Sequence, residues 1–269
     1  MNKAESNNLA DKVVLVTRPR HQQAELVQLL EQHGARALLL PSIDIQPLAL
    51  TQPLRELFGA PQVFDLIIFV SANAVLYTYK LLEQLKLPLT LGNTPIAVIG
   101  AATRRAAQQA GFDVSLVPVS GYNTEALLAL DEFQQHSLSS KSVLIIRGAG
   151  GLEDLSNSLQ LRGASVTYAE VYRRSIPQQD RQISRHDLSK NWQDYAITTI
   201  TATSNEALQN LYDMLETPGR DAMLHTNLVV PSNRCYRLAL NLGFESITIA
   251  ESATNQQMVD AIIKLSNGK

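Results

Sequence analysis

Short continuous apolar runs alternate along this chain with longer stretches in which apolar residues recur every third or fourth position. Residues 13–17 (Val-Val-Leu-Val-Thr) are the first such run, and Leu26, Leu29 and Leu30 then mark a helix that Gly34 stops. Strands are predicted over 36–40, 64–70, 95–99, 113–117, 142–146, 195–201, 228–231 and 247–250. Helices are predicted over 73–85, from Gly100 to Gly111, from a cap at Asn123 or Thr124, between 147 and Gly163, from Ser204 to about 215, from Ser232 to Gly243, and over 254–265. Continuous apolar strands alternating with helices of this length predict an α/β architecture of parallel sheets buried on both faces.

The pattern is written twice. Lys12-Val-Val-Leu-Val-Thr-Arg18 matches Lys141-Ser-Val-Leu-Ile-Ile-Arg147 at an offset of 147 − 18 = 129, and Gly34-Ala35 matches Gly163-Ala164 at the same offset. The strand at 64–70 matches that at 195–201, and Gly111-Phe112 matches Gly243-Phe244 at an offset of 132. Because the chain enters partway through one copy, one lobe must use both ends of the chain. The expected organisation is a discontinuous lobe, 11–40 plus 178–269, and a continuous lobe, 48–164. Segments 41–47 and 165–177 are expected to be linker strands joining them, making two parallel-sheet α/β lobes of similar topology with a two-stranded β linker.

Composition narrows the function classes. The 269 residues exceed the usual single-domain size, and a net charge of −2 provides no general basic field for nucleic acid. A single cysteine, Cys235, excludes an internal disulfide framework and fits a reducing, cytoplasmic compartment. The polar start Met-Asn-Lys-Ala-Glu-Ser-Asn-Asn has no signal-peptide core, and no apolar run is long enough to span a membrane. The absence of heptads or a long exposed apolar repeat favours a monomer.

Chemistry is expected beyond the carboxyl ends of the strands, where open parallel sheets bind ligands. Arg18, Ser71, Asn73, Thr103, Arg147 with Gly148, Ser204, Asn205, Ser232 and Arg234 all fall there. Hydroxyls, amides and guanidiniums at helix starts suit a polyanion, although each Ser, Thr or Asn read singly is a helix cap. Gly148-Ala-Gly150-Gly-Leu-Glu153 lacks the third glycine of a dinucleotide fingerprint, and there is no phosphate-loop lysine. The five histidines share no metal-ligand spacing, and no serine-hydrolase elbow occurs. Asp65 and Glu170 read as structural carboxylates. Tyr172, beside Arg173 and Arg174, either fills a sheet surface or faces a cleft between the lobes; the residues alone leave both open.

In their order and spacing these segments resemble the uroporphyrinogen-III synthase family. The resemblance runs from Val13 to Ile262 through Thr17-Arg18-Pro19, Phe69-Val-Ser-Ala-Asn73, Ala97-Val-Ile-Gly100-Ala-Ala-Thr103, Asn123-Thr-Glu-Ala-Leu, Arg147-Gly-Ala-Gly-Gly151, Glu170-Val-Tyr172-Arg-Arg, Thr203-Ser204 and Ser232-Asn-Arg234. It implies cyclisation of hydroxymethylbilane with inversion of the last pyrrole through a spiro intermediate, with no cofactor or metal. It also implies binding largely by main-chain N–H groups and hydroxyls at helix starts, with Tyr172 assisting departure of the substrate hydroxyl. Two positions depart from the family pattern: Leu152 stands where many relatives have arginine, and Val70 precedes Ser71 where threonine is common. A two-lobed polycarboxylate-binding or regulatory protein on the same scaffold, without turnover, is the alternative.

Overall fold

The computed structural model describes residues 8–60, 63–88, 91–119, 121, 123–151, 153–178 and 183–268. Leu152, one of the two departures from the family pattern, lies outside the described residues. The chain divides into two compact units, Met1–Asp44 with Ser175–Lys269, and Ile45–Arg174.

In the first unit a five-stranded sheet runs β2 (Arg36–Leu39), β1 (Val13–Val16), β8 (Thr199–Thr201), β9 (Asn227–Val230), β10 (Ile247–Ile249), all parallel. β1 is buried along its whole length because both of its faces are covered. Val14 and Val16 pack with Leu26 and Leu30 of α1 (Ala24–Gln32) and Met258, Val259 and Ile262 of α12 (Asn255–Asn267). Leu15 packs on the opposite side with Leu188 of α8 (Arg185–Lys190), Leu208 and Leu211 of α9 (Asn205–Met214), Met223 of α10 (Thr217–Leu224) and Ala239 of α11 (Asn233–Leu242).

The second unit repeats the plan in the order β3 (Asp44–Pro47), β7 (Ser165–Ser175), β6 (Ser142–Gly148), β4 (Leu66–Phe69), β5 (Ile96–Val98). Ile67, Phe69, Leu144 and Ile146 face α2 (Gln52–Gly59), α3 (Ala72–Leu85) and α4 (Ala101–Gln109). Leu66, Ile68, Val143 and Ile145 face α5 (Thr124–Leu128), α6 (Gln135–Leu138) and α7 (Asp154–Leu161). The repeat is visible in the backbone: β1 pairs with β2 in the register Val16↔Leu39, and β6 with β7 in the register Ile145↔Tyr168, both displaced by 129 residues. Gly34 and Gly163 close α1 and α7 with φ of 87° and 90°, a conformation that glycine alone adopts without strain.

The segment 165–177, expected as a linker strand, contains the strand Ser165–Ser175, which lies between β3 and β6 in the second sheet and pairs with β6. Of the segment 41–47, the part from Asp44 to Pro47 is β3, the edge strand next to β7. The chain thus passes between the units at 44/45 and 174/175. The strand expected over 113–117 is reduced to a single bridge, Ala97↔Leu116, with Pro118 soon removing the N–H a longer ladder would need. The run at 195–201 begins in a 3-10 turn, Trp192–Tyr195, followed by left-handed Ala196, so only Thr199–Thr201 pairs as strand. No element was predicted between 47 and 61, yet α2 begins at Gln52 with Pro53 in its first turn, where no backbone N–H is needed, and Thr51 caps it by accepting from the Leu54 N–H.

α8 and α10 approach closely at Gly219, where an added Cβ would lie 2.6 Å from the Ser189 Cα. Helix propensity alone would favour alanine there by about 1 kcal/mol, but overpacking against backbone costs more. Gly219→Ala is therefore expected to lower stability by about 1–3 kcal/mol in urea unfolding; a more stable variant would show that the helices can part without cost.

Candidate active site

In each sheet the winding reverses beside the central strand: between β6 and β4 in the second unit, and between β1 and β8 in the first. The helices that follow these two strands leave on opposite faces of the sheet, which opens a crevice beyond the strands' carboxyl ends.

In the second unit Tyr172 is brought to that crevice by a bulge. β6 and β7 stay in step as far as Arg147↔Glu170, then Gly148 pairs with Tyr172, so Val171 is an extra residue. The extra residue places Tyr172 on the same face as Ala169 and Val171, against Phe69 and Tyr77. From there the ring crosses the end of β6 directly over Gly148, where a Cβ would lie 2.5 Å from one ring carbon and 2.6 Å from another. The phenol oxygen reaches Ser71 Oγ at 3.1 Å, just past the end of β4. Tyr77 stacks on the ring with centroids 5.6 Å apart, and the Arg174 guanidinium stands 5.9 Å from its centroid. Tyr172 is only 3% exposed, so it both fills the sheet surface and ends at the crevice. Ser71 is at the same time the cap of α3, accepting from the Ala74 N–H at 3.1 Å.

The other expected residues of this unit are placed differently. Asn73 and Thr103 are buried in the first turns of α3 and α4. Arg147 is turned inward: it donates to Glu170 Oε1 from Nε at 3.3 Å and from Nη2 at 3.1 Å, and to the Gly151 carbonyl at 3.1 Å. Its guanidinium carbon lies 3.7 Å from the Tyr168 ring centroid. With these contacts Arg147 ties β6, β7 and the glycine turn together. Gly148 likewise has a steric role, as clearance for the Tyr172 ring. Asp65, as expected, is structural: it bonds the Lys141 ammonium and the Ser142 N–H, each at 2.9 Å, and these bonds hold its carboxyl below the usual range.

In the first unit Thr17, fully buried, donates to the Thr201 carbonyl at 2.7 Å and so ties the ends of β1 and β8 together. Arg18 follows. Its Nη2 donates to the Ala253 carbonyl, while its Nε is buried with no hydrogen-bond partner among the described residues. Burial pushes the Arg18 pKa down, with Glu25 opposing. Ser204 caps α9 through the Ala207 N–H at 3.0 Å, and Ser232 caps α11 through the Cys235 N–H at 3.3 Å. Asn205 is the half-buried first residue of α9, and Arg234 is exposed on α11. The cap reading thus holds for Ser71, Ser204 and Ser232, and each leaves further first-turn N–H groups directed at its crevice. Among the described residues no three His, Cys, Asp or Glu side chains are grouped to hold a metal, and no helix is long and apolar enough to cross a membrane.

The model of the family described as uroporphyrinogen-III synthase HemD matches residues 24–260. The chain belongs to the uroporphyrinogen-III synthase family. A relative named uroporphyrinogen-III synthase, from Escherichia coli (strain K12), is 31% identical over 255 residues, covering 93% of this chain and 99% of its own. Two solved structures share the fold. A mutant uroporphyrinogen III synthase from the extremely thermophilic bacterium Thermus thermophilus superposes with a TM-score of 0.63 at 16% identity, covering 96% of this chain and 100% of that one. The uroporphyrinogen-III synthetase of Helicobacter pylori 26695 gives 0.60 at 16% identity, covering 94% and 99%.

Two site neighbours were not foreseen from the sequence of this family member. Nothing in the spacing of Tyr77 and Tyr168 announces that one stacks on Tyr172 and the other lies under Arg147. Cys235, on the first turn of α11, is 1% exposed, and burial pushes its thiol up to about 11. The folded protein is therefore expected to resist iodoacetamide at pH 8 and to react only when unfolded. Rapid alkylation of the native state would refute that burial.

Proposed function

We propose that this chain catalyses closure of hydroxymethylbilane to uroporphyrinogen III, inverting ring D through a spiro intermediate, as a cytoplasmic monomer. The observation that carries the proposal is the Tyr172 phenol, set over Gly148 at the reversal point of the second sheet, in a chain of this family. The single reduced, buried Cys235 is consistent with a reducing compartment. The exposed large apolar side chains Val63, Val119, Leu161, Ile176, Leu240 and Ile249 are spread along the chain, consistent with a monomer.

The substrate is a linear tetrapyrrole with many carboxylates. On this reading the carboxylates are received by first-turn N–H groups of α3, α4, α9 and α11, with Ser71, Asn73, Thr103, Ser204, Asn205, Ser232 and Arg234 at those turns. Arg18, with a buried donor unmatched among the described residues, is the side-chain cation best suited to add to them. Arg147 is left out of this set because its donors are already engaged.

Tyr172 gives its proton to the departing hydroxyl. The C–O bond breaks with its electron pair on oxygen, water leaves, and a pyrrole nitrogen delocalises the resulting cation. Attack by the substituted carbon of ring D gives the spiro intermediate, which fragments and recloses through the free ring carbon. That carbon loses its hydrogen as a proton, and the phenolate takes one up, so the sum is loss of one water. The pyrrole nitrogens supply every electron pair, so the reaction calls for no cofactor. A phenol is a weaker acid than a carboxylic acid. Its assistance is worth roughly 10²–10⁴ in rate, against about 7–11 kcal/mol for holding the reacting ends together. Positioning therefore dominates.

Hydroxymethylbilane generated in situ, treated with the protein and then oxidised, should give uroporphyrin III as the main isomer on chromatography. Isomer I alone, the product of uncatalysed closure, would mean a binding or regulatory protein on this fold. Tyr172→Phe should slow isomer III formation by roughly 10²-fold or more without abolishing it, whereas an unchanged rate would remove the acid role.

A further inference from the structure

We infer that Ser71 is a positioning residue that sets the direction of the Tyr172 proton, a role that rests on the acid reading above. Three serines cap helices at the carboxyl ends of strands with nearly the same backbone, φ −160°, −160° and −162° at Ser71, Ser204 and Ser232. Among the described residues only Ser71 also meets a phenol.

A serine hydroxyl has one hydrogen and two lone pairs. At Ser71 one lone pair is taken by the Ala74 N–H, a donor that has no partner inside the helix. Tyr172 Oη lies 3.1 Å away, within reach of the remaining hydrogen, and in the inferred role Ser71 donates it there. Tyr172 then accepts, and its own proton points away from the cap and is available to the leaving oxygen. The opposite polarity would direct the phenolic proton at the helix cap, where it is of no use to the reaction.

Little else about the phenol is free to vary. Gly148 lies beneath the ring, Tyr77 stacks on it, and Tyr77 is itself fixed by donating to the Ile45 carbonyl. Rotation about the ring–oxygen bond is the remaining freedom, and Ser71 decides it. Once the C–O bond of the substrate has broken, the same Ser71 O–H stabilises the phenolate until the ring carbon's proton replaces the one given up.

The test is a double-mutant cycle on isomer III turnover. Ser71→Ala should lower kcat roughly tenfold, the scale of one hydrogen bond to a developing charge, with KM changed less than about twofold. Ser71→Thr, which keeps both the cap and the hydroxyl, should recover most of that loss. In a Tyr172→Phe background Ser71→Ala should cost nothing further. Should the alanine variant fold poorly, Ser71→Gly removes the same hydroxyl at little capping cost. A similar loss of kcat with and without Tyr172, or a loss seen mainly in KM, overturns the proposal and makes Ser71 a substrate ligand. A rate unchanged or raised in Ser71→Ala overturns it through the polarity of the bond. Tyr172→Phe at full rate, read from that single variant, overturns the acid reading itself and this role with it.

Discussion

Burial of both faces of a parallel sheet is the constraint on which the rest of this structure depends. Val14, Leu15 and Val16, and their repeat-mates Val143, Leu144 and Ile145, are at most 2% exposed. Each such side chain contributes about 1.5–3 kcal/mol by leaving water, and a charge in its place would have no partner. Polar chemistry is therefore pushed out of the strands and onto their ends. Several strands pair over only three residues, as in β5, β8 and β10, so few positions separate the core from those ends. Caps, glycines and arginines accumulate there because the sheet leaves them no other place.

The two units begin from one plan and diverge at specific positions. Arg18 and Arg147 occupy equivalent places, 129 residues apart. Arg147 has Tyr168 beneath it and Glu170 beside it; the equivalent positions in the first unit, 168 − 129 = 39 and 170 − 129 = 41, are Leu39 and Pro41. Without that acid and that ring, Arg18 keeps a buried donor unmatched among the described residues. Tyr172 likewise corresponds to 172 − 129 = 43, where Ile43 is buried. One unit thus has the phenol at this position and holds its arginine inward, while the other has isoleucine there and an arginine with one buried donor unmatched among the described residues.

Much of this was legible in the chain. Apolar runs set the order of strands and helices, and the internal repeat showed which strand ends are equivalent, because strand periodicity and helix-stopping glycines are local signals. What the chain did not show are contacts between distant segments. Segment 165–177 read as a linker strand because of its length and basic end, and only the sheet order shows that its first half also pairs with β6 residue by residue. The contacts of Arg147 with Tyr168 and Glu170 were not legible, because those residues lie more than twenty positions away and meet it only through sheet order. Helix α2 went unpredicted although Pro53 is compatible with a first helical turn, because proline is equally compatible with a turn between elements.

The hardest feature to foresee was the setting of Tyr172, and the reason is geometric. Ser71, Tyr77 and Gly148 come from two strand–helix connections that no local pattern relates, and they converge only because β6 lies between β7 and β4. A regular β7 would have placed residue 172 on the face of Tyr168 and Glu170; the extra Val171 puts it on the other. Gly148 is then required not for its own backbone freedom but for the space above it, since any side chain there would occupy the path of the ring. A sequence can show that a glycine follows a strand. It cannot show that a phenol from the neighbouring strand passes over it, because that depends on one added residue and on the order in which the strands are laid side by side.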